Sequence, residues 1–122
     1  MPAGKFNLTG NYKIEQGVDW DIQFRWKKLG VAVELATDWT AELILRESFG
    51  NKSQLLKLEK DDGITLTNGL LNTPNIYVVI TKIQAALLLD VATEWNLELN
   101  NTVTDKNIRL LEGEVKVSTD KT

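Results

Sequence analysis

The sequence predicts an all-β fold, a β-sandwich of about eight short strands with one small helix. Three observations lead there. Apolar and polar residues alternate at period two through most of the chain, turn residues punctuate it roughly every 8 to 12 positions, and a single segment has helical spacing.

The elements follow in order. "NYKIEQG" (11–17) and "DWDIQFRWKK" (19–28) both alternate and are separated by Gly17-Val18. In the second, an extended chain points Trp20, Ile22, Phe24 and Trp26 one way and Asp19, Asp21, Gln23, Arg25 and Lys27 the other. Gly30 marks a tight turn into a short strand over 31–33. "TAELILRE" (40–47) sets Ala41, Leu43 and Leu45 on one face, with Glu42 and Arg46 opposite. "SFGNKSQ" (48–54) is turn chemistry, and "LLKLE" (55–59) alternates again. Asp61-Asp62-Gly63 and Asn68-Gly69 flank the strand "ITLT"; Asn-Gly suits a two-residue type I′ turn, whose central positions both need positive φ. "IYVVI" (76–80) is apolar throughout and reads as a central or doubly buried strand.

"TKIQAALLLDVA" breaks the pattern. Ile83, Ala86, Leu87 and Val91 recur at helical spacing, and Thr81 with Gln84 forms a capping-box signature. A short helix over 81–92 is expected to plug one end of the sandwich. "TEWNLELN" then turns Trp95, Leu97 and Leu99 inward, "NTVTDKN" is a polar turn, and "IRLLEGEVKVS" is the last strand. Ile108 and Leu110 are even-numbered, whereas Val115 and Val117 are odd. One strand cannot bury both sets on one face, so the parity switches, and Gly113 is the expected site of a β-bulge. The domain plan is an N-terminal arm (1–10), one sandwich domain (11–119) and a tail (120–122).

Composition narrows the function. At 122 residues, 43% hydrophobic and 25% charged, the chain suits one ordinary globular domain rather than a disordered segment. A net charge of -3, with Lys27-Lys28 the longest basic run, argues against nucleic acid as a partner. Cysteine and histidine are both absent, which removes thiolate and imidazole zinc sites, Cys-His pairs and the Ser-His-Asp arrangement. No apolar run approaches the ~18 residues of a membrane-spanning helix, and "MPAGKFNLTG" is too polar for a signal core. No membrane role and no sorting signal are expected.

No catalytic constellation emerges. Asp61-Asp62-Gly63 lacks the further ligands of a calcium loop. Asp19 and Asp21 share a strand face with Arg25 and Lys27 and read as a solvated charge ladder. The glycines are isolated, so there is no phosphate loop, and the glycosylation tripeptides "NLT", "NKS" and "NNT" are short enough to arise by chance. The expectation is a non-enzyme with no catalytic, cofactor-binding or metal-binding residues.

Trp20 and Trp26 share their face with Ile22 and Phe24, and no polar group joins them to engage sugar hydroxyls, so both are expected inside. The expected core includes Trp20, Phe24, Trp26, Trp95, Leu97 and Val117. Trp39, between Asp38 and Thr40, belongs to no alternation; it either caps the sandwich end or lies partly exposed at an interface.

Three blocks in order carry a resemblance: "IEQGVDWDIQFRWKK", "VELATDWTAELILRE" and "EWNLELNNTVTDKNIRLLEGEVKVS". Together they resemble the small immunoglobulin-like β-sandwich of tailed-bacteriophage virion proteins, as in the N-terminal domain of baseplate upper proteins and of tail or fibre-adaptor proteins. The chain departs in having Ala92-Thr93 where that family commonly has a Gly before its "LEL" strand, and in a longer "LLNTPN" segment. The resemblance implies an immunoglobulin-like antiparallel sandwich. It also implies a non-enzymatic structural component of a phage particle (tail, baseplate, neck or fibre adaptor), located in the virion and assembled in the bacterial host cytoplasm. Its partners would be other virion proteins and copies of itself in a symmetric array. The alternatives are a carbohydrate-binding module using Tyr12, Trp39 or Tyr77, and a capsid decoration protein. The expected interface comprises Lys5, Phe6, Leu8, Tyr12 and Trp39. Residues 2–8, with a β-capable "FNL", either add as a strand to a neighbour's edge, or are disordered or merely complete their own sandwich.

Overall fold

Alternation at period two becomes strand almost wherever it occurs. The computed structural model describes residues 4–47, 54–69, 73–88 and 94–118. Its strands in the first half are β1 (Gly4–Lys5), β2 (Ile14–Glu15), β3 (Trp20–Phe24), β4 (Lys27–Lys28), β5 (Val31–Ala32) and β6 (Trp39–Arg46). The second half supplies β7 (Gln54–Lys60), β8 (Gly63–Leu66), β9 (Ile76–Ile80), β10 (Glu94–Asn101), β11 (Lys106–Glu114) and β12 (Val117–Ser118), with one helix, α1 (Lys82–Leu87). The expected turn over 48–53, residues 89–92 of the expected helix including Val91, the start of the arm and residues 119–122 lie outside the described residues.

The fold is all-β and sandwich-like. Eight strands make one curled sheet in the order β1-β11-β10-β6-β7-β8-β9-β3, while β2 with β12 and β4 with β5 form two small pairs. Most pairings are antiparallel, but β1 with β11, β7 with β8 and β2 with β12 run parallel. The curl is fixed by aromatic contact across the interior. Phe24 on edge strand β3 stacks on Trp95 of β10 at 6.1 Å, and Phe6, just after edge strand β1, meets Phe24 edge-on at 5.7 Å. The two ends of the sheet therefore close on each other.

The interior is aliphatic. Leu43, Leu45, Leu58, Ile64, Ile76, Val78, Ile80, Leu97 and Leu99 are buried around Trp20 and Trp95, each contributing roughly 1.5–3 kcal/mol relative to exposure. Trp20, Trp95, Leu97 and Val117 take their expected places in the core; Phe24 is only partly buried against it.

β9 lies between β8 and β3 but is not doubly buried: Ile76, Val78 and Ile80 face the core, whereas Val79 on the other face is exposed. Four further expectations are corrected. Trp26 is half-buried, because β3 and its pairing with β9 end at Phe24 opposite Ile76, leaving Trp26 beyond the sheet. The bulge falls at Leu110 rather than Gly113: Leu97 faces Leu111 while Glu98 faces Arg109, so Leu110 is the extra residue that switches parity. Gly113 answers a different demand, since a side-chain carbon there would lie 2.8 Å from the Phe6 carbonyl carbon and nearer still to its oxygen. The type I′ hairpin lies elsewhere too. Leu66 is opposite Ile76, so Asn68-Gly69 is part of a longer connection, and of the two only Gly69 has positive φ. Leu29 (φ 53) and Gly30 (φ 79) form that turn instead, between paired Lys28 and Val31.

The last of these corrections concerns α1. Its capping box forms as expected: the Gln84 N–H donates to Thr81 Oγ1 at 3.2 Å and the Thr81 N–H to Gln84 Oε1 at 3.0 Å. The helix ends at Leu87, however, and its buried contacts come from Ala85 and, at the C-cap, Leu88. Ile83 and Leu87 are 71% and 78% exposed, and Ala86 also faces solvent. Asp19 is drawn to the helix start, its carboxylate accepting from the Lys82 N–H at 2.6 Å.

Candidate functional site

An opening in the surface lies where the two ends of the curled sheet part. Phe6 and Phe24 seal one stretch of that seam; beyond them it widens into a cleft of about 1030 Å³. One wall is Trp26 with the β4–β5 hairpin, through Lys27, Lys28 and Leu29. The other is residues 106–110 of β11, and Gly4 of β1 lies at its margin.

The hairpin wall is positioned by a residue that sequence reasoning missed. Asn75 is buried, and its side chain makes three hydrogen bonds. Oδ1 accepts from the Trp26 N–H at 2.9 Å, and Nδ2 donates to the carbonyls of Trp26 and Val33, each at 2.9 Å. The Val33 N–H also donates to the Trp26 carbonyl at 2.9 Å. A buried amide in a polar connection gives no periodic signal, so only the fold reveals its task. Trp39 supports the same wall from behind, its ring edge-on to Trp26 at 5.4 Å.

Charge is uneven here. The cleft is lined by Lys27, Lys28, Lys106 and Arg109 with no carboxylate among its described lining residues, although the chain as a whole is acidic. Arg109 is already shared, through Nη2 to Glu98 at 2.9 Å and Nη1 to Glu112 at 3.5 Å; the Glu98 hydrogen bond is the main reason its pKa is raised. Lys28 lies 5.3 Å above the Trp26 ring centroid. Among the described residues, none of the three lysines has a carboxylate within ion-pair distance.

The backbone is open as well. Among the described residues, β10 is the one strand that pairs with 106–110 of β11, with Leu110 as the unpaired bulge, and β1 covers β11 at Leu111 and Glu112. Among the described residues, β4 pairs with β5 alone. At the hairpin tip, Leu29 is fully exposed in a left-handed conformation that disfavours branched side chains, and Val31 beside it is exposed too.

The expected interface residues are dispersed. Leu8 is fully buried, with its N–H on the Glu114 carbonyl and its own carbonyl accepting from Lys116, so it is a core residue rather than a contact for a neighbour. Phe6 is partly buried, packs against Tyr12 and Phe24, and hydrogen-bonds β11 through its backbone. The described part of the arm thus completes its own sheet, because parallel pairing with β11 satisfies its main chain. Lys5 is exposed and bound to Glu112, and Tyr12 is half-exposed. Only Trp39 reaches the cleft region, indirectly. Tyr12, Trp39 and Tyr77 stand on separate elements, with no ring contact joining them among the described residues.

Among the described residues, no acidic group of three or more is arranged to hold a metal ion, and no helix is long and apolar enough to cross a membrane. Compared with known proteins, the chain matches no family model and no curated relative.

Proposed function

We propose that this chain is a docking domain of a tailed-phage particle, an adaptor or connector that joins other virion proteins without catalysing a reaction. The observation that carries the docking half is the cleft: an open strand edge faces a rigidly based hairpin whose apolar tip is held out to solvent. Exposed Leu29 and Val31 contribute nothing to the core, and a strained, solvent-facing leucine suits a contact surface better than a stability role. The particle half rests on the three sequence blocks, whose order accords with an all-β, sandwich-like domain.

Localisation tests it. An epitope tag at the C-terminus, gold-labelled and imaged in purified particles, should decorate a fixed position in symmetric copies. Particles that are complete and infectious yet contain no copy of the chain would overturn the reading.

A further inference from the structure

The docking reading leaves the chemistry of the partner open, and the cleft restricts it. We propose that the cleft receives an acidic, extended peptide segment of a partner protein, which adds as a strand to residues 106–110 of β11. This rests on the docking half of the function proposed above and extends it to the class of ligand.

Two independent features converge. The first is backbone: among the described residues, 106–110 have no strand partner besides β10, and β4, across the cleft, has none besides β5. An extended segment is the ligand whose own N–H and C=O groups match such an edge. The regular edge from Lys106 to Arg109 corresponds to roughly 13 Å of strand, enough to set a register. The second is charge. Lys27, Lys28 and Lys106 have no carboxylate partner among the described residues, and they flank the space where the added strand would run. Glutamate or aspartate at alternate positions would answer them. The same lysines repel a second basic edge, so they select against self-pairing while admitting an acidic strand. Leu29 at the tip and the half-buried Trp26 ring offer apolar surface to the intervening side chains.

The test uses the full chain and a fluorescein-labelled peptide of about eight residues alternating Glu and Val, long enough to span the edge. Fluorescence anisotropy should report saturable binding that weakens as salt rises, and amide exchange should slow at residues 106–110. The double variant K27E/K28E should weaken binding at least about tenfold, with an unchanged melting temperature showing that it is folded. A peptide of the same sequence with every backbone amide nitrogen methylated should fail to bind, since neither of its edges can donate to a strand. Equal binding of the methylated peptide, or of a short single-stranded DNA or heparin fragment, would reduce the site to a general anion surface and overturn the proposal. Absence of binding up to about 1 mM would overturn it too. A chain that binds the peptide yet is missing from particles refutes the particle reading alone; one found in particles that ignores the peptide refutes this inference alone.

Discussion

The indole N–H of Trp95, on β10, donates to the main-chain carbonyl of Phe6 at 2.8 Å, tying the chain just after β1 to the middle of the sheet. The Phe6 carbonyl also lies where a side chain at position 113 would have to go, and the Phe6 N–H donates to Glu112 at 3.0 Å. Gly113→Ala should therefore displace the N-terminal strand and not merely stiffen β11. The expected loss is about 2–3 kcal/mol, as for overpacking of a close contact. Chemical denaturation gives the magnitude, and faster amide exchange at Phe6 and Leu8 should accompany it; a variant with native stability and native protection there would contradict this account.

Asn75 carries the root of the hairpin. Asn75→Ala leaves the Trp26 N–H without its acceptor and removes donors from two carbonyls in a buried setting. The expected cost is about 3 kcal/mol, with unmade hydrogen bonds costing more than formed ones contribute. Trp26 fluorescence should shift to the red as the hairpin loosens, which a simple global loss of stability would not produce under native conditions.

In α1, adjacent leucines should behave in opposite ways. Leu88 is buried and Leu87 exposed, so Leu88→Ala should cost about 2–4 kcal/mol and Leu87→Ala less than about 0.5. Equal midpoints in urea for the two variants would mean that the helix presents a different face.

Those leucines show where the sequence was legible. Alternation is a strong signal when a strand has one buried face, so the places of Trp20, Ile22, Trp95, Leu97 and Leu99 could be read directly. The capping box was equally legible, because Thr81 and Gln84 interact locally. What failed was whatever depended on the fold bringing distant segments together. In "AALLL" the apolar residues fit more than one helical face, and only packing selects Ala85 and Leu88. Trp26 continues the alternation of β3, but its partner strand has already ended. Gly113 could be identified as special, though the reason, a carbonyl more than one hundred positions earlier, is invisible in sequence. The cleft was missed for the same cause: Lys27 and Lys28 are far in sequence from Lys106, and no local motif joins them.

Acid should loosen the attachment of β1. The Lys5 ammonium, hydrogen-bonded to Glu112, and secondarily Arg109, hold the Glu112 carboxyl below its ordinary value. A carboxyl depressed in the folded state contributes stability that is present above its unfolded pKa and lost as pH falls through the folded value. The pair is exposed, so the effect is small and screened by salt. Glu112→Gln should flatten the acid limb of a stability profile measured below pH ~4.5 while leaving neutral stability nearly unchanged. An acid limb identical to that of the parent chain would remove Glu112 from the explanation.

Leu29 should trade stability against docking. It occupies the first central position of a type I′ turn at φ 53, where a branched residue incurs roughly 1–2 kcal/mol that asparagine largely avoids. Its side chain is fully exposed, so replacing it forfeits no packing in the free protein. Leu29→Asn should accordingly raise stability by about 0.5–1 kcal/mol, visible as a higher denaturation midpoint. If the leucine is kept for contact, the stabilised variant should bind the acidic peptide several-fold more weakly, although all its lysines remain in place. Stabilisation with undiminished binding would show that the leucine takes no part in docking, and would leave the lysines and the open edge of β11 as the whole of the binding surface.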